Sequence, residues 1–137
     1  MKIAVIGGAG YIGSHTTREL LDRGHEVCVF DNLSSGLEQN LFPEAGFVKG
    51  DILHPEEIGK FLNDFKPEGL VHLAAFKAAG ESMINPEKYS VNNITGSINI
   101  LNAASAAGVK YFVFSSSAAT YGAPKYQPVD GEHPTEP

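Results

Sequence analysis

KIAVIGGAGYIG, Lys2–Gly13, decides the fold. Its first half is a short run rich in Ile and Val, the pattern of a parallel strand buried on both faces. Its second half is a turn in which Gly7, Gly10 and Gly13 stand three apart. From Ile12 to Arg23 the chain then reads as a helix, with Ile12, Thr16, Leu20 and Leu21 near one face and Gly24 as its stop signal. A strand that feeds a helix through a glycine turn has a physical purpose. The turn must be tight, its backbone must approach a ligand closely, and the helix start presents unpaired N–H groups and a partial positive charge to phosphates. Gly7, Gly10, Tyr11, Ile12 and Gly13 are therefore candidates for holding a pyrophosphate.

The same alternation continues along the chain. Glu26–Phe30 and Gly46–Lys49 read as strands two and three. Pro55 opens a helix at the position where a missing N–H costs least, with Ile58, Phe61, Leu62 and Phe65 as its apolar stripe. Leu70–Leu73 is a fourth strand, and Pro86–Ala107 a long helix with Ile94, Ile98 and Leu101 on one side. Tyr111–Phe114 is a fifth strand. The order predicts an α/β fold of the Rossmann type, a doubly wound parallel sheet of five strands in the order 3-2-1-4-5. After Ala118 the chain is punctuated by Gly and Pro and reads as an irregular exposed tail over 118–137.

Asp31 closes the second strand roughly 20 residues past Gly10, the spacing of an acid that accepts hydrogen bonds from a ribose. A carboxylate there repels a 2′-phosphate, so the expected cofactor is NAD rather than NADP. Asn32 follows it in the same turn. Asp51, with Ile52 after it, ends the third strand in the same way; it either reaches the adenine edge or caps the next helix.

The 137 residues carry 10 basic and 16 acidic side chains, a net charge of −6, and 42% apolar residues. These values fit one globular core and argue against nucleic acid or an anionic membrane as the main partner. No apolar run reaches the length of a membrane span, and the N-terminus lacks the layout of a signal peptide. Cys28 is the single cysteine; it excludes an internal disulfide, fits a reducing compartment and reads as core filling. The five histidines lie too far apart for a helical metal pair. Two glycosylation sequons, at Asn32 and Asn93, read as chance matches in a cytoplasmic protein.

GGAGYIGSH, VFDNLSSG, GDI, LAAFKAAGES and FSSSAATYG, in this order, resemble the extended short-chain dehydrogenase/reductase family and, within it, the UDP-glucose 4-epimerases. The resemblance runs through all 137 residues. It implies that Ala74, Ala75, Phe76 and Lys77 line the cofactor after the fourth strand, with Lys77 at the nicotinamide ribose and diphosphate. It implies further that Asn92 belongs to the cofactor environment, that Ser115 sits against the nicotinamide, and that Ser117 hydrogen-bonds the sugar 4-hydroxyl of a UDP-sugar. Tyr121 would add to the substrate wall. Related 4,6-dehydratases carry an Asp-Glu pair after the hydroxyl residue; Ala118 and Ala119 stand there instead, which disfavours water elimination.

The family's base is a tyrosine paired with a lysine in a Y-x-x-x-K arrangement on a helix. Tyr121 and Lys125 have that spacing, but Gly122 and Pro124 forbid the helix that would put them on one face. The resemblance places the true pair beyond Pro137. The expectation is therefore a truncated NAD-binding domain over 1–117, with the C-terminal sugar-nucleotide domain absent. Such a chain would bind NAD weakly or not at all, be inactive as an epimerase by itself, and self-associate as a dimer or larger through its uncovered fifth strand and long helix. Another sugar-nucleotide epimerase, decarboxylase or reductase of the same fold, or an inert dinucleotide-binding module, remains open as the alternative.

Overall fold

A computed structural model describes residues 1–137. The strands are β1 (Lys2–Ile6), β2 (Glu26–Asp31), β3 (Gly46–Lys49), β4 (Gly69–His72) and β5 (Tyr111–Phe114). They form one parallel sheet in the order β3-β2-β1-β4-β5, the predicted order. Side chains alternate across the sheet, so each central strand feeds two cores. Ala4, Ile6, Cys28, Phe30 and Leu70 face the helices α2 (Pro55–Phe65) and α5 (Gly96–Ala106), meeting Ile58, Phe61, Leu62, Ile100 and Ala104. Ile3, Val5, Val27 and Val29 face the other way, toward Leu20 and Leu21 of α1 (Tyr11–Asp22). This is why β1 and β2 read as unbroken apolar runs rather than alternating ones. Burial holds the Cys28 thiol above its ordinary pKa, in keeping with core filling.

Three expectations change in detail. First, α1 buries Gly13 and Thr17 and leaves Ile12 54% exposed. The small residues face the sheet because the glycine turn brings the helix start too close for a larger side chain. Second, a short helix not read from the sequence, α3 (Ala79–Ile84), precedes the long helix. It has no apolar stripe to announce it, and Met83 and Ile84 are exposed. Third, the long helix is not one regular α-helix. It begins as α4 (Pro86–Ser90), widens into a π turn over Val91–Thr95, and continues as α5. Its buried side carries Asn92, Gly96, Ile100 and Ala104, four apart. That spacing would drift around a regular helix of 3.6 residues per turn, and the extra residue of the π turn offsets the drift. Ile94, Ile98 and Leu101 do share a side, but it is the exposed one.

β5 is an edge strand, with Tyr111 and Val113 more than half exposed. Beyond it the chain makes one 3-10 turn at Ala118–Tyr121 and otherwise follows irregular turns, as expected. One residue of this tail departs from the exposed reading. His133 is buried between the rings of Tyr121 and Tyr126; its Nε2 accepts from Lys125 N–H and its Nδ1 donates to Pro134 O. No helix is long and apolar enough to cross a membrane.

Candidate functional site

Each strand hands its exit residue to a neighbour. Gly7 N–H donates to Phe30 O, Leu73 N–H to Ile6 O, Gly50 N–H to Asp31 O and Ser115 N–H to His72 O, at 2.9–3.1 Å. The carboxyl ends are thus level, and the sheet order reverses between β1 and β4, where open α/β sheets bind ligands. A cleft of about 310 Å³ opens there.

The glycine turn forms one wall. Gly7 has φ +85°, and a Cβ on it would stand 2.7 Å from Ala74 N, so both conformation and space require glycine. Gly13 does not reach the cleft. Its missing Cβ would lie 2.1 Å from Gly7 O, so its work is to let α1 pack onto the turn. Gly10, Tyr11 and Ile12 do line the cleft. The first turn of α1 holds no acidic residue, and Gly10 offers no side-chain cap, so the positive end of the helix is not neutralised by the chain itself. Between the glycines, Ala9 is fully buried and held at both ends. Its N–H donates to Asp31 Oδ2 at 3.0 Å, and its carbonyl accepts from Leu37 N–H and Asn40 Nδ2.

Asp31 also accepts from Leu33 N–H at 2.8 Å through Oδ1. Its carboxylate is 9% exposed and lines the cleft. Asn32 lines it too, its side-chain amide donating to Asp51 Oδ2 at 2.9 Å. Of the two readings of Asp51, helix capping is excluded. The N-cap of α2 is His54, and Asp51 instead accepts from Leu53 N–H and orients Asn32 from just outside the cleft. Ile52 lies on the wall.

Ala74, Ala75, Phe76, Lys77 and the buried Asn92 form the opposite wall. Ser115 and Ser117 are not in the enclosed part. Both are exposed at the end of β5, and Ser117 Oγ accepts from Ala119 N–H at 3.1 Å. Tyr121 and Lys125 are separated by Gly122 at φ +62°, and Lys125 pairs with Glu136. They share no helix face, as the sequence required.

Ser34, Ser35, Gly36, Phe30 and Gly50 line the cleft without having been singled out. The Ser-Ser-Gly signal was available, as a turn cluster directly after the ribose acid. Also missed was His72, 3% exposed beneath the wall after β4. Ser97 Oγ donates to Asn93 O at 2.6 Å, which leaves it to accept from His72 Nε2–H at 2.9 Å. Burial lowers the His72 pKa to about 4, so the ring is neutral at pH 7.

The residues fit a dinucleotide. A turn without Cβ atoms, an uncapped helix start and a buried carboxylate meet along one cleft, the donor set that a diphosphate and a ribose require.

Comparison with known proteins gives the same direction. UDP-glucose 4-epimerase of Lactobacillus helveticus is 48% identical over 137 residues, all of this chain and 42% of that protein. UDP-glucose 4-epimerase of Klebsiella pneumoniae is 45% identical over 89% of this chain and 93% of its own length. The crystal structure of Thermus thermophilus UDP-glucose 4-epimerase complexed with NAD superposes with a TM-score of 0.91 at 34% identity, over 100% of this chain and 45% of that one. The chain thus spans less than half the length of most of these relatives. Residues 3–137 match the family described as NAD dependent epimerase/dehydratase, and the chain belongs to that family.

Proposed function

We propose that residues 1–117 are the NAD-binding domain of a UDP-hexose 4-epimerase that interconverts UDP-glucose and UDP-galactose, and that residues 118–137 begin its substrate side. The single observation that carries this reading is the tie between the glycine turn and the ribose acid. Ala9 N–H donates to Asp31 Oδ2, so two elements far apart in sequence are fixed on one cleft before any ligand arrives. Asp31 accepts from vicinal ribose hydroxyls and repels a 2′-phosphate, which selects NAD over NADP. The N–H groups at the start of α1 meet the diphosphate, and Lys77 adds a positive charge beside it. Bound NAD would supply a hydride acceptor and donor for carbon 4 of the sugar. Ser117 offers its hydroxyl to the sugar 4-hydroxyl.

The chain by itself binds NAD weakly and does not turn over. Ser115 and Ser117 lie outside the enclosed cleft, and Tyr121 and Lys125 share no helix face, so no tyrosine base is assembled. The exposed Ile94, Ile98 and Leu101, together with the β5 edge, make self-association the expected state. A single buried cysteine accords with a reducing, cytoplasmic setting.

Titration followed by NMR tests the reading. NAD should perturb Gly10–Ile12 and Asp31 with a Kd at or below about 1 mM, and NADP should bind about tenfold more weakly. Equal binding of the two, or none by either, overturns it. Formation of UDP-glucose from UDP-galactose by the purified chain would overturn the inactive part. A mass in sedimentation that stays monomeric at all concentrations would overturn self-association.

A further inference from the structure

The wall after β4 is held by a side chain that does not itself line the cleft. From Ala74 to Lys77 no backbone group bonds to another backbone group. The segment is tied down by Asn93 alone. Phe76 N–H donates to Asn93 Oδ1 at 2.9 Å, and Asn93 Nδ2 donates back to Phe76 O at 2.8 Å. A primary amide thereby replaces the two bonds that a neighbouring strand would have supplied. Few side chains can do this, because the site asks for one acceptor and one donor side by side on a short stem.

Asn93 is itself set from behind. It lies in the π turn, where its carbonyl accepts from Ser97 Oγ, and Ser97 in turn accepts from the buried His72 of β4. Its Oδ1 also accepts from Asn92 Nδ2 at 3.0 Å, and Asn92 does line the cleft. A chain of hydrogen bonds therefore runs from the sheet, through the helix, to the backbone that carries Phe76 and Lys77.

We propose that Asn93 is a positioning residue for the nicotinamide half of the cofactor: it fixes the Phe76 backbone, and through it the Phe76 wall and Lys77, without touching the cofactor itself. The inference rests on the NAD reading above. The adenosine half is served by the glycine turn and Asp31, to which Asn93 makes no hydrogen bond. The clamp therefore acts on one half of the ligand only, and that asymmetry is the test.

In the wild-type chain, the Phe76 amide should exchange with solvent more slowly than those of Lys77 and Ala78, which have no acceptor within the chain. Equal rates for the three overturn the clamp whether or not any variant folds. Affinities for NAD and for ADP are then measured on the wild type and on Asn93→Leu, which keeps much of the volume and loses both bonds. NAD should weaken about fivefold or more, while ADP changes by less than about twofold. A loss common to both ligands, or to neither, overturns positioning. Failure of the wild type to bind either ligand would instead bring down the NAD reading, and the inference with it.

Discussion

The β1–α1 end of the cleft and the β4–β5 end are built on opposite terms. At the first, Ala9 is fully buried and Asp31 nearly so, and every polar contact between them is already made. At the second, Lys77, Ser115 and Ser117 are exposed, and the segment that carries Lys77 hangs on Asn93. The difference separates two tasks. A site that only holds a ligand gains affinity by being fixed in advance, because each mobile side chain ordered on binding costs about 0.5–1.5 kcal/mol. A site that also admits and releases a sugar needs groups that remain accessible.

The sharpest way to break the comparison is at the rigid end. Gly13→Ala places a methyl group 2.1 Å from Gly7 O, with backbone on the other side as well. Neither can yield without moving the turn off β1. A stability loss of about 3 kcal/mol or more is expected in urea unfolding. A loss below about 1 kcal/mol would mean that the turn is as compliant as the other end.

His72 carries the next largest effect and lies under the open end. Burial depresses its folded pKa to about 4 from 6.5, so the folded chain excludes a proton that the unfolded chain binds. The stability that follows is complete above pH 6.5 and is lost as pH falls toward 4. Between pH 7 and 4.5 the wild type should lose about 2 kcal/mol more than His72→Gln, which has no proton to gain. Parallel pH profiles for the two proteins would show that His72 is not confined as its burial implies.

The same contrast governs what could be read from the sequence. The glycine turn was legible because its constraint is local: a strand, Gly7, Gly10 and a helix follow one another, and Asp31 sits at a fixed interval. The strand order followed from the alternation of β1 to β5 with helices. The wall after β4 was legible only by resemblance. Its geometry depends on Asn93 and Ser97, which lie well downstream, and on a π turn that leaves no periodic mark. Asn93 reads as a helix residue or a chance sequon until its distance to Phe76 is known. The face of Ile94, Ile98 and Leu101 was found by periodicity, but periodicity gives which residues lie together and not which way they point.

Asp31→Ala returns to the rigid end with a smaller effect than Gly13→Ala. It strips the acceptors from Ala9 N–H and Leu33 N–H, of which the first is buried with no water to replace it easily. A loss of about 1–3 kcal/mol is expected, together with loss of the preference for NAD over NADP. Retained stability with altered preference would divide the two roles of the carboxylate, and retained preference would remove Asp31 from the site.

Ser117→Ala should do least to the fold, and that is its use. Ser117 is exposed, and its hydroxyl accepts a single bond from Ala119 N–H, which water can replace. The expected change in unfolding free energy is within about 0.5 kcal/mol, with NAD affinity unchanged. A drop of more than about 1 kcal/mol would mean that the end of β5 is built into the structure as the glycine turn is, and the division between a fixed holding end and an accessible reacting end would fail. An unchanged fold leaves the Ser117 hydroxyl free for the sugar, since a group with little structural work can be spent on chemistry without cost to the sheet that carries it.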